Sequence, residues 1–186
     1  MIALLTKQKT ILLMSIACVV CWGLAGCKQH HPKALPAPLL DNAQYELEGR
    51  VRRIWGADSF EFGELNELHY IVIRGVDTPK PGQPYFDQAK EHLIQSVRRR
   101  TTRISIVGRD SMMREFADVY SRPKNTPDAI EMNVGLDLIE QGLGWYDGTE
   151  FEDDEAFKQA ELDAREKRIG LWAQDAPVAP WDFEDY

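Results

Sequence analysis

Residues 45–55, Tyr-Glu-Leu-Glu-Gly-Arg-Val-Arg-Arg-Ile-Trp, alternate apolar and polar side chains, the period-two signature of a half-buried strand. This pattern constrains the fold most because it recurs. Gly56-Ala57-Asp58 reads as a turn, and residues 59–64 return as a second strand through Phe60 and Phe62. Residues 69–76 form a third, more buried strand, stopped by Asp77-Thr78-Pro79. From Pro84 to Val97 the spacing turns helical, with Phe86, Ala89, Leu93 and Val97 on one face. Residues 102–107, rich in β-branched side chains, and 115–120 are predicted as fourth and fifth strands, and 121–128, with two prolines, as a loop. Two more helices follow. One spans 133–141, with Val134, Leu138 and Ile139 inward and Gly142 ending it; the other runs from about Asp153 to Lys167 on a Phe157, Ala160, Ala164 stripe. The pattern predicts an α+β domain over residues 44–173, five strands and three helices, compatible with a small Greek-key barrel of the OB type. Residues 174–186, with two prolines and four acids, read as an extended acidic tail.

The chain has 186 residues, 44% hydrophobic and 28% charged, which excludes a wholly disordered chain, a collagen-like fibre and a polytopic membrane protein. Its first 26 residues have another character. Lys7 and Lys9 precede an uncharged apolar run from Ile11 to Gly26. Sixteen helical residues would span roughly 24 Å, short of a bilayer core of about 30 Å, so a secretory signal fits better than a spanning helix. The run closes on Leu24-Ala25-Gly26-Cys27, which resembles the lipobox of bacterial lipoproteins. That resemblance implies lipidation of Cys27, a membrane anchor and a domain facing the cell envelope. Such processing removes Cys18 and Cys21, so no thiol pair remains for a disulfide. Residues 27–43, interrupted by Pro32, Pro36 and Pro38, read as a linker.

Charge is segregated. The chain carries 22 Lys+Arg against 30 Asp+Glu, and loss of Lys7 and Lys9 with the signal takes the net charge from −8 to −10. Residues 50–124 hold 14 basic and 10 acidic side chains, a net of +4, whereas 125–186 hold 4 and 17, a net of −13. A nucleic-acid binder needs a basic face for phosphate, and only the first half supplies one.

No Gly-rich phosphate loop, zinc ligand set or Ser-His-Asp arrangement is present. His69 and His92 stand alone and read as strand or surface residues. Candidate chemistry rests instead on Asp58 in a turn, Asp77-Thr78 at a strand end, and Arg114 opening a strand, preceded by Asp110. Two carboxylates and a backbone carbonyl suit a hard cation, and an arginine facing it can hold a phosphate bidentately. Taken singly, each also has an ordinary reading in turn chemistry.

Their order resembles the staphylococcal nuclease (thermonuclease) family, over about residues 47–172. Gly56-Ala57-Asp58-Ser59 is similar to its Asp-Gly-Asp-Thr turn, and Val76-Asp77-Thr78-Pro79 to its Ile/Val-Asp-Thr/Ala-Pro segment. Asp110-Ser111-Met112-Met113-Arg114 lies where the family has Asp-x-Tyr-Gly-Arg, while Gly82 with Gln88-Ala89, Asn133 to Leu143, Ala160-Glu161 and Gly170-Leu171-Trp172 resemble its helices and their ends. The resemblance implies an OB-fold barrel and metal-dependent hydrolysis of DNA or RNA by a monomer. It assigns Ca2+ to Asp58, Asp77 and the Thr78 carbonyl, and makes Arg114 a catalytic arginine. Two family positions are substituted: the first phosphate-binding arginine is Val72, and the glutamate that helps activate water is Lys80. Arg74, one strand period from Val72, is the candidate to replace that arginine. The alternative is an inactive nuclease fold retained as a binding or assembly module, with Trp145, Tyr146 and Arg98-Arg99-Arg100 as contact candidates.

Overall fold

The computed structural model describes residues 44–64, 66–148 and 154–184. The signal, Cys27, the linker and the expected start of the last helix at Asp153 lie outside the described residues. Among the described residues, eight strands and three α-helices follow in chain order: β1 Tyr45–Ile54, β2 Ser59–Glu64, β3 Glu67–Ile73, β4 Val76–Asp77, α1 Phe86–Val97, β5 Arg100–Arg109, β6 Glu115–Pro123, β7 Met132–Asn133, α2 Val134–Glu140, β8 Trp145–Tyr146 and α3 Glu155–Glu166.

Five strands close a barrel. The sheet runs β3-β2-β1-β5-β6, and a parallel β3–β6 pairing, Ile71↔Glu115 to Ile73↔Ala117, joins its ends. Closure removes the exposed edges that an open sheet would leave. Inward positions follow the alternation: Phe60, Phe62, Ile71, Ile73, Ile104, Ile106 and Val119 are all buried. Each such side chain contributes about 1.5–3 kcal/mol through removal from water. The apolar faces of α1 (Ala89, Leu93, Val97) and α2 (Val134, Leu138, Ile139) extend the same core.

The third strand is shorter than its apolar run. It stops at Ile73, Gly75 turns at φ +76°, and β4 pairs away from the barrel with β8. Only glycine adopts that φ without strain. The fifth strand runs on to Pro123, into the expected loop. In β1 the register shifts between Val51 and Arg53, so Arg52 is an extra, bulged residue.

Residues past Ala173, expected as an extended tail, instead pack back on the domain. Pro180–Asp182 forms a 3-10 turn that sets Trp181 edge-on to Trp145 at 6.4 Å, and Trp145 meets Trp172 at 5.5 Å. Ala164, Leu171 and Ala179 complete this second apolar cluster. The acids and prolines predicted extension; the tryptophan outweighed them.

Candidate active site

The β1–β2 turn is locked by its own backbone. The N–H groups of Trp55 and Gly56 both donate to the Ser59 carbonyl, at 3.0 and 3.2 Å, and Ile73 N–H donates to the Asp58 carbonyl at 2.8 Å. Asp58 Oδ2 accepts two bonds from Thr78, from its hydroxyl at 2.8 Å and its N–H at 3.3 Å. The two carboxylate-bearing segments, 20 residues apart in sequence, therefore meet. Burial pushes the Asp58 carboxyl up from its ordinary 3.8, against the lowering effect of the bonds from Thr78 and Ser59. Among the described residues no lysine or arginine pairs with it. Desolvation favours the neutral form of this carboxyl, whereas a cation beside it would favour the ionised form.

Arg114 is the residue immediately before β6. Asp110, buried beneath it, fixes it from several sides. One carboxylate oxygen of Asp110 accepts the backbone N–H groups of Met112 and Arg114, each at 2.9 Å. The other takes the guanidinium, at 2.7 Å from Nε and 2.6 Å from the terminal nitrogen. Burial raises the Asp110 pKa, but these bonds outweigh it and hold the carboxyl below its ordinary range. The guanidinium carbon lies 5.9 Å from the Phe116 ring centroid, and Phe116 pairs with Val72, which pairs with Ser59. Strand spacings put the Asp58 and Arg114 Cα atoms on the order of 13 Å apart. The row between them, Ser59–Val72–Phe116, carries no cation.

Arg74, expected to replace the cation missing at Val72, is engaged elsewhere. Its Nε donates to Asp118 at 2.7 Å, and a terminal nitrogen lies 3.6 Å from Asp154, the N-cap of α3. β3 ends at Ile73, yet the Arg74 N–H still donates to the Ala117 carbonyl at 2.9 Å. The side chain lies on Asp118, two residues past the Phe116 partner of Val72, so Arg74 keeps to the Val72 side but is tied to carboxylates there. Lys80 is exposed in a turn where its N–H donates to Gln83 Oε1 at 2.9 Å. No carboxylate of the described residues lies within 4.0 Å of its ammonium, so it does not act as a counter-ion to Asp58 or Asp77. Trp145 is buried in the second cluster and Tyr146 is half-buried against Phe157, both as core aromatics. Arg98 and Arg99 are exposed, and Arg100 donates to Ser121. His69 and His92 are bound to Glu115 and Asp137, at 2.9 and 2.6 Å.

The carboxylates of Asp58 and Asp77 and the Thr78 carbonyl are hard oxygen donors, the type that a divalent cation takes. Among the described residues no group of three His, Cys, Asp or Glu side chains forms a complete metal site. Sequence reasoning passed over Trp55 and Arg53, whose exposure beside the Asp58 turn depends on the bulge at Arg52. Two adjacent arginines breaking the alternation were the available signal.

A closed five-stranded barrel with three helices among the described residues defines an OB-fold domain of the α+β class. Residues 70–174 match the family of staphylococcal nuclease homologues, and the chain belongs to that family. It is similar to an uncharacterized endonuclease of Haemophilus influenzae, with 29% identity over 115 residues, covering 62% of this chain and 60% of that protein. A second uncharacterized endonuclease, of Escherichia coli O157:H7, is 26% identical over 137 residues, covering 73% of this chain and 84% of its own length. A staphylococcal-like nuclease of Arabidopsis thaliana is 26% identical over 113 residues, covering 61% of this chain and 32% of that protein. The chain thus spans less than two thirds of the Haemophilus and Arabidopsis relatives.

Proposed function

We propose that the protein hydrolyses phosphodiester bonds of DNA or RNA with a divalent cation, Ca2+ by family likeness, bound by Asp58, Asp77 and the Thr78 carbonyl. The observation that carries this reading is the pair of Thr78 bonds to Asp58, which joins both acidic segments in one place. A cation there supplies charge neutralisation at the phosphate. Arg114 donates to a non-bridging phosphate oxygen and stabilises the negative charge that grows in the transition state. Asp110 holds its guanidinium in that direction. Arg74 is held by Asp118 and Asp154 and takes no part. Val72 gives the phosphate an apolar neighbour, and Lys80 offers a cation where the family pattern offers a carboxylate base. Each missing group lowers the rate by about 10² to 10⁴, so the activity is weakened. The lipobox-like sequence at Cys27 supports a lipid tether at a membrane of the cell envelope.

Full-length chain assayed on single- and double-stranded DNA with and without calcium tests this. Cation-dependent cleavage that falls about 10²- to 10³-fold in Arg114→Ala is the expected result. Absence of cleavage in the wild type, restored by Lys80→Glu, favours the second reading, an inactive binding module. That reading is motivated by Val72 and Lys80 at the two catalytic positions.

A further inference from the structure

We propose that the outward edge of β1, from Arg50 to Trp55, is a binding track for single-stranded nucleic acid. A base stacks on Trp55, and backbone phosphates lie on Arg50, Arg52 and Arg53. The inference rests on the nuclease reading above and names the substrate form that this site takes.

The bulge builds the track. Val51 pairs with Phe62 and Arg53 with Glu61, leaving Arg52 without a partner in the ladder. In a regular strand Arg53 would face the barrel interior with Val51. The extra residue turns Arg53 and Trp55 outward to join Arg50 and Arg52, so all four are exposed, while Val51 and Ile54 are half-buried. Arg50 and Arg52 stand about 6.7 Å apart along the strand, a step comparable to that between phosphates of an extended single strand. Arg52 lies across Gly63, where a Cβ would meet its Nε at 2.5 Å, so the absent side chain gives the arginine its bed.

Trp55 is a fixed platform. Its N–H donates to the Ser59 carbonyl, its own carbonyl accepts from Lys90 Nζ at 3.0 Å, and the residue is 44% exposed. The Arg53 guanidinium carbon sits 5.0 Å from the ring centroid, a cation–π contact that steadies the ring. Two residues, Gly56 and Ala57, separate Trp55 from Asp58, so a stacked base leaves its own phosphate beside the cation-binding turn.

Charge points the same way. Arg103, Arg109 and Arg122 on the neighbouring strands are each paired with glutamates. Arg50, Arg52 and Arg53 form no ion pair within 4.0 Å among the described residues, although Glu61 stands opposite Arg53 in the ladder. In a chain of net charge −8, a solvated cationic edge next to the candidate catalytic turn is complementary to phosphate. An exposed aromatic beside it selects single strands, because a duplex keeps its base faces stacked.

The test is fluorescence anisotropy of a short labelled oligothymidylate, with full-length Arg114→Ala protein in a metal chelator. Added Trp55→Ala is expected to weaken binding about tenfold and Trp55→Phe less than threefold. Replacing Arg50, Arg52 and Arg53 by serine lowers the slope of log affinity against log salt by about 2. All these side chains are exposed, and an unchanged melting temperature checks the fold. Equal affinity in Trp55→Ala, or an unchanged salt slope, overturns the proposal. So does binding to phosphatidylglycerol vesicles that these variants abolish while oligothymidylate binding persists, an outcome that makes the edge a membrane contact. Binding is read without turnover. An inactive parent chain therefore defeats the hydrolytic reading alone, and unchanged binding by the variants of an active chain defeats the track alone.

Discussion

Met113 holds φ at +62° in the turn that presents Arg114, at the position where the thermonuclease pattern has glycine. A left-handed conformation costs an ordinary L-residue about 1–2 kcal/mol, whereas glycine adopts it freely at some cost in unfolded-state entropy. Met113→Gly is therefore expected to stabilise the fold by about 0.5–1 kcal/mol, read as a rise in melting temperature. Arg114 keeps its place, since Asp110 and not residue 113 fixes it. The exchange of glycine for methionine was visible in the sequence, but its conformational cost required the turn. Legibility was similar at the other candidate positions. Asp58, Asp77 and Arg114 could be picked out because turn and strand-end residues carry their own local signals. The capture of Arg74 could not, because Asp118 and Asp154 reach it from β6 and the start of α3. At position 80 the sequence raised the question and the geometry sharpens it. The ammonium is exposed and unpaired among the described residues, so its effect on a cation is long-range repulsion. Lys80→Glu is expected to tighten calcium binding at least tenfold in a calorimetric titration, and unchanged affinity would remove Lys80 from the account.

Elements were legible where a single period ran through them and illegible where two influences met. β2, the barrel part of β3, and α1 follow from alternation or helical spacing with little correction. β4 and β8 are two residues each, too short to leave a pattern, and exist because Gly75 redirects the chain. The C-terminal segment is the clearest case of tertiary packing overriding composition. Gln83, buried in the loop after Lys80, bonds backward to the Lys80 N–H and forward to the Val178 carbonyl, so this segment also braces the loop beside the site. Removing residues 174–186 exposes Trp145 and Trp172 and leaves Gln83 with a lost partner. A destabilisation of about 2–4 kcal/mol is expected, measured by urea unfolding. A truncated chain as stable as the parent would return the segment to the status of a tail.

Across the whole molecule, what no local pattern reveals is closure, since the parallel β3–β6 pairing joins segments some 44 residues apart. The same closure creates a polar plug at one barrel end. Glu115, inward-facing on β6, accepts bonds from Tyr45 and Arg109, and shares a third with His69. Burial raises its pKa, yet the bonds from Tyr45, Arg109 and His69 outweigh it and hold the carboxyl below its ordinary 4.5. The sign of the linkage follows. A carboxyl with a depressed native pKa binds protons more readily when unfolded, so its stabilisation is complete above the unfolded value and fades as pH falls through the native one. The Glu115 contribution is expected to stay level from pH 7 to about pH 5.5 and then decline through pH 4 and below, with Asp110 adding to the same slope and Asp58, whose native pKa is raised, opposing it. Glu115→Gln keeps the shape but removes the charge that Arg109 faces, which costs about 2–3 kcal/mol at pH 7. Because the parent loses that advantage in acid, the gap between the two proteins narrows as pH falls. Parallel melting curves at pH 7 and pH 3.5 measure both gaps. Equal gaps at the two pH values would show that Glu115 acts through its shape and hydrogen bonds, with no contribution from its charge.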